Sequence, residues 1–266
     1  MGSECRHKRL VVVSDVHCGH RAGLTPPGWQ YSLQDATPSR AAWGGLQREL
    51  WNWYTATMNA LQPIDWIVCN GDAIDGRGGR NGGVELITTD LEEQAQIAVA
   101  CLREAQAQNH LIIYGTPYHV GTEEDFEAYI ARELEAHIGG HEWLDINGCI
   151  FDFKHKIGSS GVPHGRHTAV ARERVWNLLW NERDWAPLAR VIIRSHVHYH
   201  AYSGDPTHLA MTTPALQGPG SKYGVRQCSG VVDFGLVHFD IDEHGGYSWK
   251  AHLLNINAMR PTPVKG

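Results

Sequence analysis

Four apolar runs in this sequence end in residues of the types that bind metal ions. Each run has the aliphatic composition of a buried strand and leads directly to carboxylates or imidazoles. The residues at the four positions are Asp15 and His17, Asp72, His119, and His196 and His198. Carboxylates mixed with imidazoles suit Mn, Fe, Zn or Ni, whereas Mg and Ca prefer oxygen ligands alone. The pattern therefore predicts a transition-metal site of the hydrolytic kind.

The stretch WIVCNGDAIDG shows how the chain would position such a residue. Ile67 to Cys69 suit a strand covered on both faces, Gly71 permits a tight turn, and Asp72 follows at the carboxyl end of the strand. In open α/β sheets, ligands bind beyond this end of the strands. Asp15 and His17 are two residues apart, so in an extended segment both point to one face and can bind one ion. The alternative, in which Asp15 only caps a helix, leaves His17 without a role.

The intervening segments alternate between helical and strand patterns. Apolar residues recur at helical spacing from Gln47 to Leu61. Thr89 or Asp90 is expected to cap a helix that runs to about Gln108. Two hairpins follow, one around Asn147-Gly148 and one around the turn at residues 243–246. We therefore predict an α/β fold with a mixed β-sheet and flanking helices.

The domain organisation is predicted to be simple. The chain has 266 residues and no proline-rich, serine-rich or charged linker, so we expect one domain over residues 1–266. Residues 18–44 contain several glycines and the pair Pro26-Pro27. They are predicted to form a long loop that acts as a lid or an insertion.

Composition limits the possible environments and partners. The net charge of −6 argues against a protein that binds long nucleic acids through their phosphates. The six cysteines form no C-x-x-C pair, which fits reduced thiols in a cytosolic protein. No run approaches the ~18 apolar residues of a membrane helix. The N-terminus lacks the apolar core of a signal peptide, so a cytoplasmic location is expected.

The ordered motifs resemble those of the calcineurin-like metallophosphoesterase superfamily. The family pattern is D-x-H, then G-D-x-x-D-G or a relative, then G-N-H-D or G-N-H-E, then a lone histidine, then G-H-x-H. Here the match runs from Asp15 to His198, and His155 supplies the lone histidine. The resemblance implies a mixed β-sheet sandwich flanked by helices, with two divalent metal ions. It assigns one ion to Asp15, His17, Asp72 and His198, and the other to Asp72, His155 and His196.

The third motif departs from the family pattern. Gly115-Thr116-Pro117 stands where the family has Gly-Asn-His, so the usual asparagine ligand and the adjacent catalytic histidine are not in place. His119 lies two residues beyond Pro117, whose ring fixes the local backbone. We predict that His119 replaces either the missing ligand or the general acid, and both alternatives stay open at this point. Ser195 also departs, since the family usually has glycine there.

The resemblance implies a metal-dependent phosphodiesterase. In this chemistry two cations roughly 3.5 to 4 Å apart lower the pKa of a bridging water, and the hydroxide attacks phosphorus in line with the leaving oxygen. The predicted catalytic residues are His119 and the bridging Asp72. Manganese is the expected metal, with Fe, Zn or Ni as alternatives. Arg77, His20 and His200 are candidates for contacts with the phosphate or the leaving group.

Three other functions compete with this prediction. A phosphomonoesterase would need the same metal-bound hydroxide. A DNA or RNA nuclease is favoured by the sequence DVHCGH, which resembles the first motif of repair nucleases in the superfamily, and is disfavoured by the acidic net charge. A non-catalytic scaffold would have lost ligands, whereas six positions match. The expected partner is a phosphodiester, such as a nucleotide or a nucleic-acid end, with no membrane partner and no prediction for the oligomeric state.

Overall fold

The protein is described here from a computed structural model, over residues 7–78, 82–120, 125–160, 162–220, 232–257 and 264. Within these residues the chain forms five α-helices and eleven strands in two sheets. The helices are α1 (Pro38–Ala60), α2 (Leu91–Arg103), α3 (Pro117–Val120), α4 (Phe126–Glu133) and α5 (Arg166–Glu182). The strands are β1 (Lys8–Val13), β2 (Trp66–Asn70), β3 (Asn109–Ile113), β4 (His137–Gly139), β5 (Glu142–Ile146), β6 (Cys149–Phe153), β7 (Val191–Arg194), β8 (Ala201–Asp205), β9 (His208–Thr212), β10 (Phe234–Ile241) and β11 (Tyr247–Leu254). Among the described helices, none has the length and apolar character needed to span a bilayer.

The six-stranded sheet has the order β11-β10-β1-β2-β3-β4. Its strands β1 to β4 are parallel, while β10 is antiparallel to both β1 and β11. Parallel strands finish at the same edge, so the segments that follow β1 and β2 leave the sheet side by side. This edge is where the sequence places Asp15, His17 and Asp72.

The five-stranded sheet has the order β5-β6-β7-β9-β8, with β6, β7 and β9 parallel. The predicted hairpin of β5 and β6 is confirmed, and its turn residues Asn147 and Gly148 have φ values of 55° and 84°. These left-handed conformations suit asparagine and glycine, which explains the turn at this position. His155 follows β6, and His196 and His198 follow β7, at the carboxyl ends of neighbouring strands.

The two sheets pack face to face with helices on the outside. Along β1, Leu10 and Val12 belong to the core between the sheets, whereas Val11 and Val13 belong to the core beneath the helices. The second sheet contributes Phe151 to the inner core. Side chains alternate across a strand, so burial on both faces requires the continuous apolar runs seen in the sequence. The predicted α/β fold, a mixed sheet sandwich flanked by helices, is confirmed.

Several predicted boundaries are wrong. Helix α1 begins at Pro38 rather than Gln47, so the predicted loop over residues 18–44 extends only to residue 37. Proline suits the first turn of a helix because it needs no amide donor there. Helix α2 has the predicted cap, since Asp90 accepts from the amides of Glu92 and Glu93, but it ends at Arg103 rather than Gln108. The lid role of the 18–44 segment stays a prediction.

The hairpin of β8 and β9 was not predicted. The sequence of β8, AYSGD, is short and polar, and four of its five residues are partly or fully exposed. An edge strand of this kind lacks the apolar alternation from which strands are recognised. Its partner β9 is buried and pairs in parallel with β7, which places this hairpin beside the segment that carries His196 and His198.

Candidate metal centre

A first group of candidate ligands forms where β1 and β7 end. Oδ1 of Asp15 lies 3.2 Å from Nε2 of His198, and Nε2 of His198 lies 3.3 Å from Nε2 of His17. One ligand atom from each of these three residues lies within 4.8 Å of the others. Strands of both sheets therefore contribute to one cluster of a carboxylate and two imidazoles.

A second group forms around Asp72. Its Oδ2 lies 3.1 Å from Nε2 of His155 and 4.0 Å from Nδ1 of His196. These three residues also offer ligand atoms within 4.8 Å of one another. The backbone amide of His196 donates to Oδ2 of Asp15 over 3.1 Å, which connects the second group directly to the first.

The donor atoms in both groups fit a divalent cation. Oδ1 of Asp15 and Nε2 of His155 are buried and make no hydrogen bond within the described structure, although each faces another donor or acceptor atom of its group. Nδ1 of His155 donates to the carbonyl oxygen of Asn70 over 2.7 Å, so Nε2 is the nitrogen that faces Asp72 and would bind a cation in place of a proton. Buried polar atoms without partners are costly, and a bound cation would satisfy these atoms. The residues present therefore fit metal ions.

The backbone at these positions is held in an uncommon conformation. Five candidate ligands have left-handed φ values: Asp15 (49°), His17 (48°), Asp72 (52°), His196 (74°) and His198 (55°). Side chains with a Cβ are disfavoured there by about 1–2 kcal/mol for each residue. Such strain persists only where the surroundings hold the backbone in place, and it clusters at functional sites.

Burial and neighbouring charges have opposite effects on the pKa values of the candidate ligands. Burial alone would raise the pKa of Asp15, but the neighbouring His198 and His155 outweigh it and hold the pKa well below its usual range. Asp72 behaves in the same way, since His155 and His196 lower its pKa against the effect of burial. Burial lowers the pKa of His155, yet Asp72 and Asp15 together raise it to about 9. The carboxylates therefore stay charged, and a bound cation would replace the protons that they hold on the neighbouring imidazoles.

Glycine is required at one turn beside Asp72. Gly71 has φ of 90°, and a Cβ added to it would collide with Nδ1 of His155. Any larger residue would displace the imidazole from Asp72. The predicted role of Gly71 as a tight turn therefore has a second physical basis, which is the close approach of a ligand ring.

The irregular third motif supports Asp72 with a different residue. The amide of Thr116 donates to Oδ1 of Asp72 over 2.7 Å, and its hydroxyl lies 3.1 Å from the same oxygen. Thr116 stands where the family has asparagine. Its contacts orient the carboxylate, which leaves Oδ2 directed toward His155.

His119 lies at the mouth of the centre on the short helix α3. Its Nδ1 donates to the carbonyl oxygen of Asp75 over 2.7 Å, and its Nε2 lies 3.9 Å from Oδ2 of Asp72. The side chain is 18% exposed, so Nε2 can reach both the cluster and an incoming molecule. Its ring stands edge-on to His17 with centroids 4.7 Å apart. The predicted proximity of His119 to the other groups is therefore observed.

Asp75 has a position in the centre that sequence reasoning missed. Its Oδ1 lies 3.0 Å from Nδ1 of His17, and the carboxyl is nearly buried. With His17 and His119 it forms a further set of possible ligands, which overlaps the first group through His17. The sequence did contain an indication of this position, because Asp75 is the second carboxylate of the GDAIDG stretch.

Two buried residues behind the ligands were also missed. Glu127 on α4 accepts from the amides of Gly115 (2.7 Å) and Ala73 (3.3 Å), and burial raises its pKa to about 8. Gln94 on α2 accepts from the amide of Gly76 and donates to its carbonyl oxygen, both over 2.9 Å. These contacts fix the loops that carry Asp72 and Thr116. Polar residues within amphipathic helices give no sequence signal for such a role.

The predicted substrate-binding residues lie outside the ligand groups. His20 is buried, its Nδ1 accepts from the amide of Ala22 over 3.0 Å, and this burial argues against contact with substrate. The ring of His200 donates from Nδ1 to the carbonyl oxygen of Thr212 over 2.8 Å. Arg77 is exposed on the loop that follows Asp72. A substrate role for Arg77 and His200 stays a prediction.

Comparison with known proteins finds similarity in solved structures alone. No protein-family model matches the chain, and no curated protein sequence matches it. Vps29 from Cryptosporidium parvum is 9% identical with a TM-score of 0.48, covering 94% of this chain and 98% of that one. Vps29 from Entamoeba histolytica, in complex with zinc, is 12% identical with a TM-score of 0.44, covering 92% and 98%. A novel archaeal phosphodiesterase is 12% identical with a TM-score of 0.44, covering 92% and 99%.

These similarities extend over nearly the whole chain but are weak. Identities of 9 to 12% and TM-scores below 0.5 leave the activity to be argued from the chain's own residues.

Proposed function

We propose that this protein is a phosphodiesterase that depends on two divalent transition-metal ions, with manganese as the expected metal. The observation that supports this most directly is the convergence of two carboxylates and four imidazoles from separate strand ends. Asp72 belongs to the second group and accepts from the amide of His17, in the first group, over 3.0 Å through its carbonyl oxygen. Carboxylate and imidazole ligands favour transition metals over Mg or Ca. When bound, two such ions would activate a water molecule at neutral pH and neutralise charge on the phosphoryl oxygens.

The proposed ligands follow the two groups. Asp15, His17 and His198 would hold one ion, and His155 and His196 the other, with Asp72 shared between them. Hydrogen bonds from the backbone set the direction of two of these ligands. The carbonyl oxygen of Asn70 orients His155, and the amide of Thr116 orients Asp72. Because these supporting groups are backbone atoms, the positions of these two ligands are fixed by the fold itself.

His119 is the proposed proton donor to the leaving oxygen. Its Nδ1 is engaged with the carbonyl oxygen of Asp75, so Nε2 is the atom that faces the centre and the solvent. A general acid must lie within reach of the leaving group while remaining open to proton exchange, and the partial exposure of His119 meets both needs. The separation of 3.9 Å from Asp72 places His119 beside the second ligand group.

Phosphodiester hydrolysis is proposed over nuclease activity and over an inactive scaffold for two reasons. The net charge of −6 disfavours long nucleic acids, because they bind through many phosphates. The complete ligand groups disfavour an inactive scaffold, since a protein without metals would carry buried carboxylates and strained histidines at a cost.

The test is a combined metal and substrate analysis of protein purified without chelator. Substrates would be bis-p-nitrophenyl phosphate, p-nitrophenyl phosphate, cyclic nucleotides and single- and double-stranded DNA, each with Mn, Fe, Zn and Ni. We expect turnover of the aryl diester with Mn, loss of activity with EDTA, and recovery when metal returns. Unchanged turnover after chelation, with metal shown absent by elemental analysis, would overturn the proposal.

A matched pair of variants assigns the activity to this centre. Asp72→Asn should abolish turnover and reduce the metal content, because a shared carboxylate serves both ions. Asp184→Asn makes the same change at an exposed residue with nearly the same backbone conformation, φ of 54° against 52° for Asp72. The control should retain wild-type turnover and metal. Two full metal equivalents in Asp72→Asn would show that the ligands are misassigned.

A further inference from the structure

The outer face of α5 carries an apolar surface that the described structure leaves open to solvent. Its four large side chains are each about half exposed: Val175 (55%), Trp176 (50%), Leu178 (45%) and Leu179 (46%). We call these four residues the α5 patch. Contiguous apolar surface of this kind on a soluble protein marks a site of interaction.

The α5 patch faces outward because the opposite side of the helix is firmly fixed. Asn177 donates to the carbonyl oxygen of Pro187 over 3.1 Å and accepts from the amide of Ala189 over 3.0 Å. On the same inner side, Glu173 pairs with the buried Arg194 over 2.7 Å. Helix α5 therefore cannot rotate to bury the patch without breaking buried polar contacts.

The residues of this face are arranged with a local symmetry. Arg172, Val175, Leu179 and Glu182 are all exposed and spaced by three, four and three positions, which is the spacing of a coiled-coil seam. The centre of this series is position 177. Val175 and Leu179 lie two positions on either side of it, Trp176 and Leu178 lie one position on either side, and Arg172 and Glu182 lie five positions on either side.

Such an arrangement is complementary to a copy of itself. Two antiparallel helices related by a two-fold axis at position 177 place each residue opposite its counterpart. Val175 then meets Leu179 of the second copy, and Arg172 meets Glu182, and both contacts occur twice. Opposite charges thus flank an apolar centre on both sides.

We propose that the α5 patch is the interface of a symmetric homodimer with antiparallel α5 helices. A second copy of this chain fits better than a lipid surface, because helices that bind membranes surround the apolar face with cations. At the seam positions of α5 the flanking charges are one cation, Arg172, and one anion, Glu182, at equal distances from the centre. The segment after α5 also exposes two large side chains, Trp185 (69%) and Leu188 (46%).

Sedimentation velocity of the full chain over a wide concentration range tests the proposal. We expect wild-type protein to form a species with twice the chain mass of 29.6 kDa. Arg172→Glu and Glu182→Arg should each weaken dimerisation by about tenfold or more, because like charges then face each other. The double variant with both reversals should recover wild-type dimerisation. Arg48→Glu makes the same charge change at an exposed position of α1 and should leave the dimer intact.

Several outcomes of these experiments would overturn the proposal. A wild-type chain that stays monomeric at every concentration contradicts it. A dimer unaffected by either single reversal places the interface elsewhere, and failure of the double variant to recover excludes the antiparallel pairing. Pelleting of the wild type with phosphatidylcholine and phosphatidylserine vesicles, without self-association, would assign the α5 patch to a membrane. The substituted side chains are exposed, so the variants should fold, and their metal content provides a check.

Discussion

Nδ1 of His17 lies 3.0 Å from Oδ1 of Asp75, and this contact determines which nitrogen of His17 faces the metal centre. A carboxylate only accepts hydrogen bonds, so the imidazole proton resides on Nδ1. Nε2 then presents its lone pair toward His198, 3.3 Å away, in the first ligand group. Asp75 therefore acts on the proposed metal through His17, as carboxylates behind metal-binding histidines do.

Removal of Asp75 should weaken the metal ion held by His17. Asp75→Ala leaves the ring free to rotate and to adopt the other tautomer, so we expect metal affinity to fall about 10- to 100-fold. Asp75→Asn keeps an acceptor for the Nδ1 hydrogen of His17, so it should lose less metal affinity than Asp75→Ala. Titration with Mn, followed calorimetrically, measures the change, and Asp184→Ala is the exposed control. Equal affinity in Asp75→Ala and the control would show that His17 is oriented by other contacts.

The ligands were predictable from sequence because each follows a strand that is buried on both faces. A continuous apolar run that stops at Asp72 gives both the strand and the position of the side chain. The role of Asp75 was not predictable in the same way, since it depends on contact with His17, 58 positions earlier in the chain. Glu127 and Gln94 support loops from helices, and the position of a helix against a sheet is a tertiary property. Local patterns carry no information about it.

Ser195 should stabilise the junction between the two sheets. Its hydroxyl accepts from Nδ2 of Asn70 and contacts Oγ1 of Thr213, both at 2.7 Å, and all three residues are buried. Ser195→Ala removes a partner from two buried polar groups, so the free energy of unfolding should fall by about 1–3 kcal/mol. Thermal denaturation should show this as a loss of about 2–4 °C for each kcal/mol.

Ser248→Ala is the control for this change, since Ser248 is an exposed serine on β11. Metal content should be retained in both variants. If Ser195→Ala melts at the wild-type temperature, then the hydroxyl is not needed by Asn70 and Thr213, and the departure from the glycine of the family pattern has no structural consequence.

Glu127 should make stability depend on pH. Burial raises the pKa of its carboxyl from 4.5 to about 8, so the folded chain retains a proton that the unfolded chain releases. Stability should therefore fall as pH rises between these two values, by about 1.4 kcal/mol for each pH unit, and then level off. Glu127→Gln is neutral at every pH and keeps an acceptor for the amide of Gly115. In this variant the contribution of residue 127 to the change of unfolding free energy with pH should disappear.

Denaturant unfolding at several pH values, with chelator present, measures the difference between Glu127→Gln and wild type. Glu133→Gln is the matched control, because Glu133 lies exposed on the same helix. Other groups titrate equally in all three proteins, so only the relative slope matters. Parallel pH profiles for all three would show that the Glu127 carboxyl is ionised in the folded protein, held by the amides of Gly115 and Ala73.

His119 is the residue whose role the sequence left between ligand and general acid, and we propose that it is the proton donor. The second ligand group is complete with Asp72, His155 and His196, whereas His119 is 3.9 Å from the carboxylate and partly exposed. His119→Ala should therefore retain the metal content. It should slow alkyl diesters, whose leaving oxygen needs a proton, far more than aryl diesters, which leave without one.

The comparison of substrates distinguishes the two roles of His119. A cyclic nucleotide supplies an alkyl leaving group and bis-p-nitrophenyl phosphate an aryl one, so the ratio of their rates reports the proton transfer alone. Loss of one metal with equal slowing of both substrates would make His119 a ligand. Normal metal content with normal rates on both substrates would show that His119 takes part in neither metal binding nor catalysis. His137→Ala is the control, since His137 is an exposed histidine paired with Glu142 on the surface, and its variant should keep both rates.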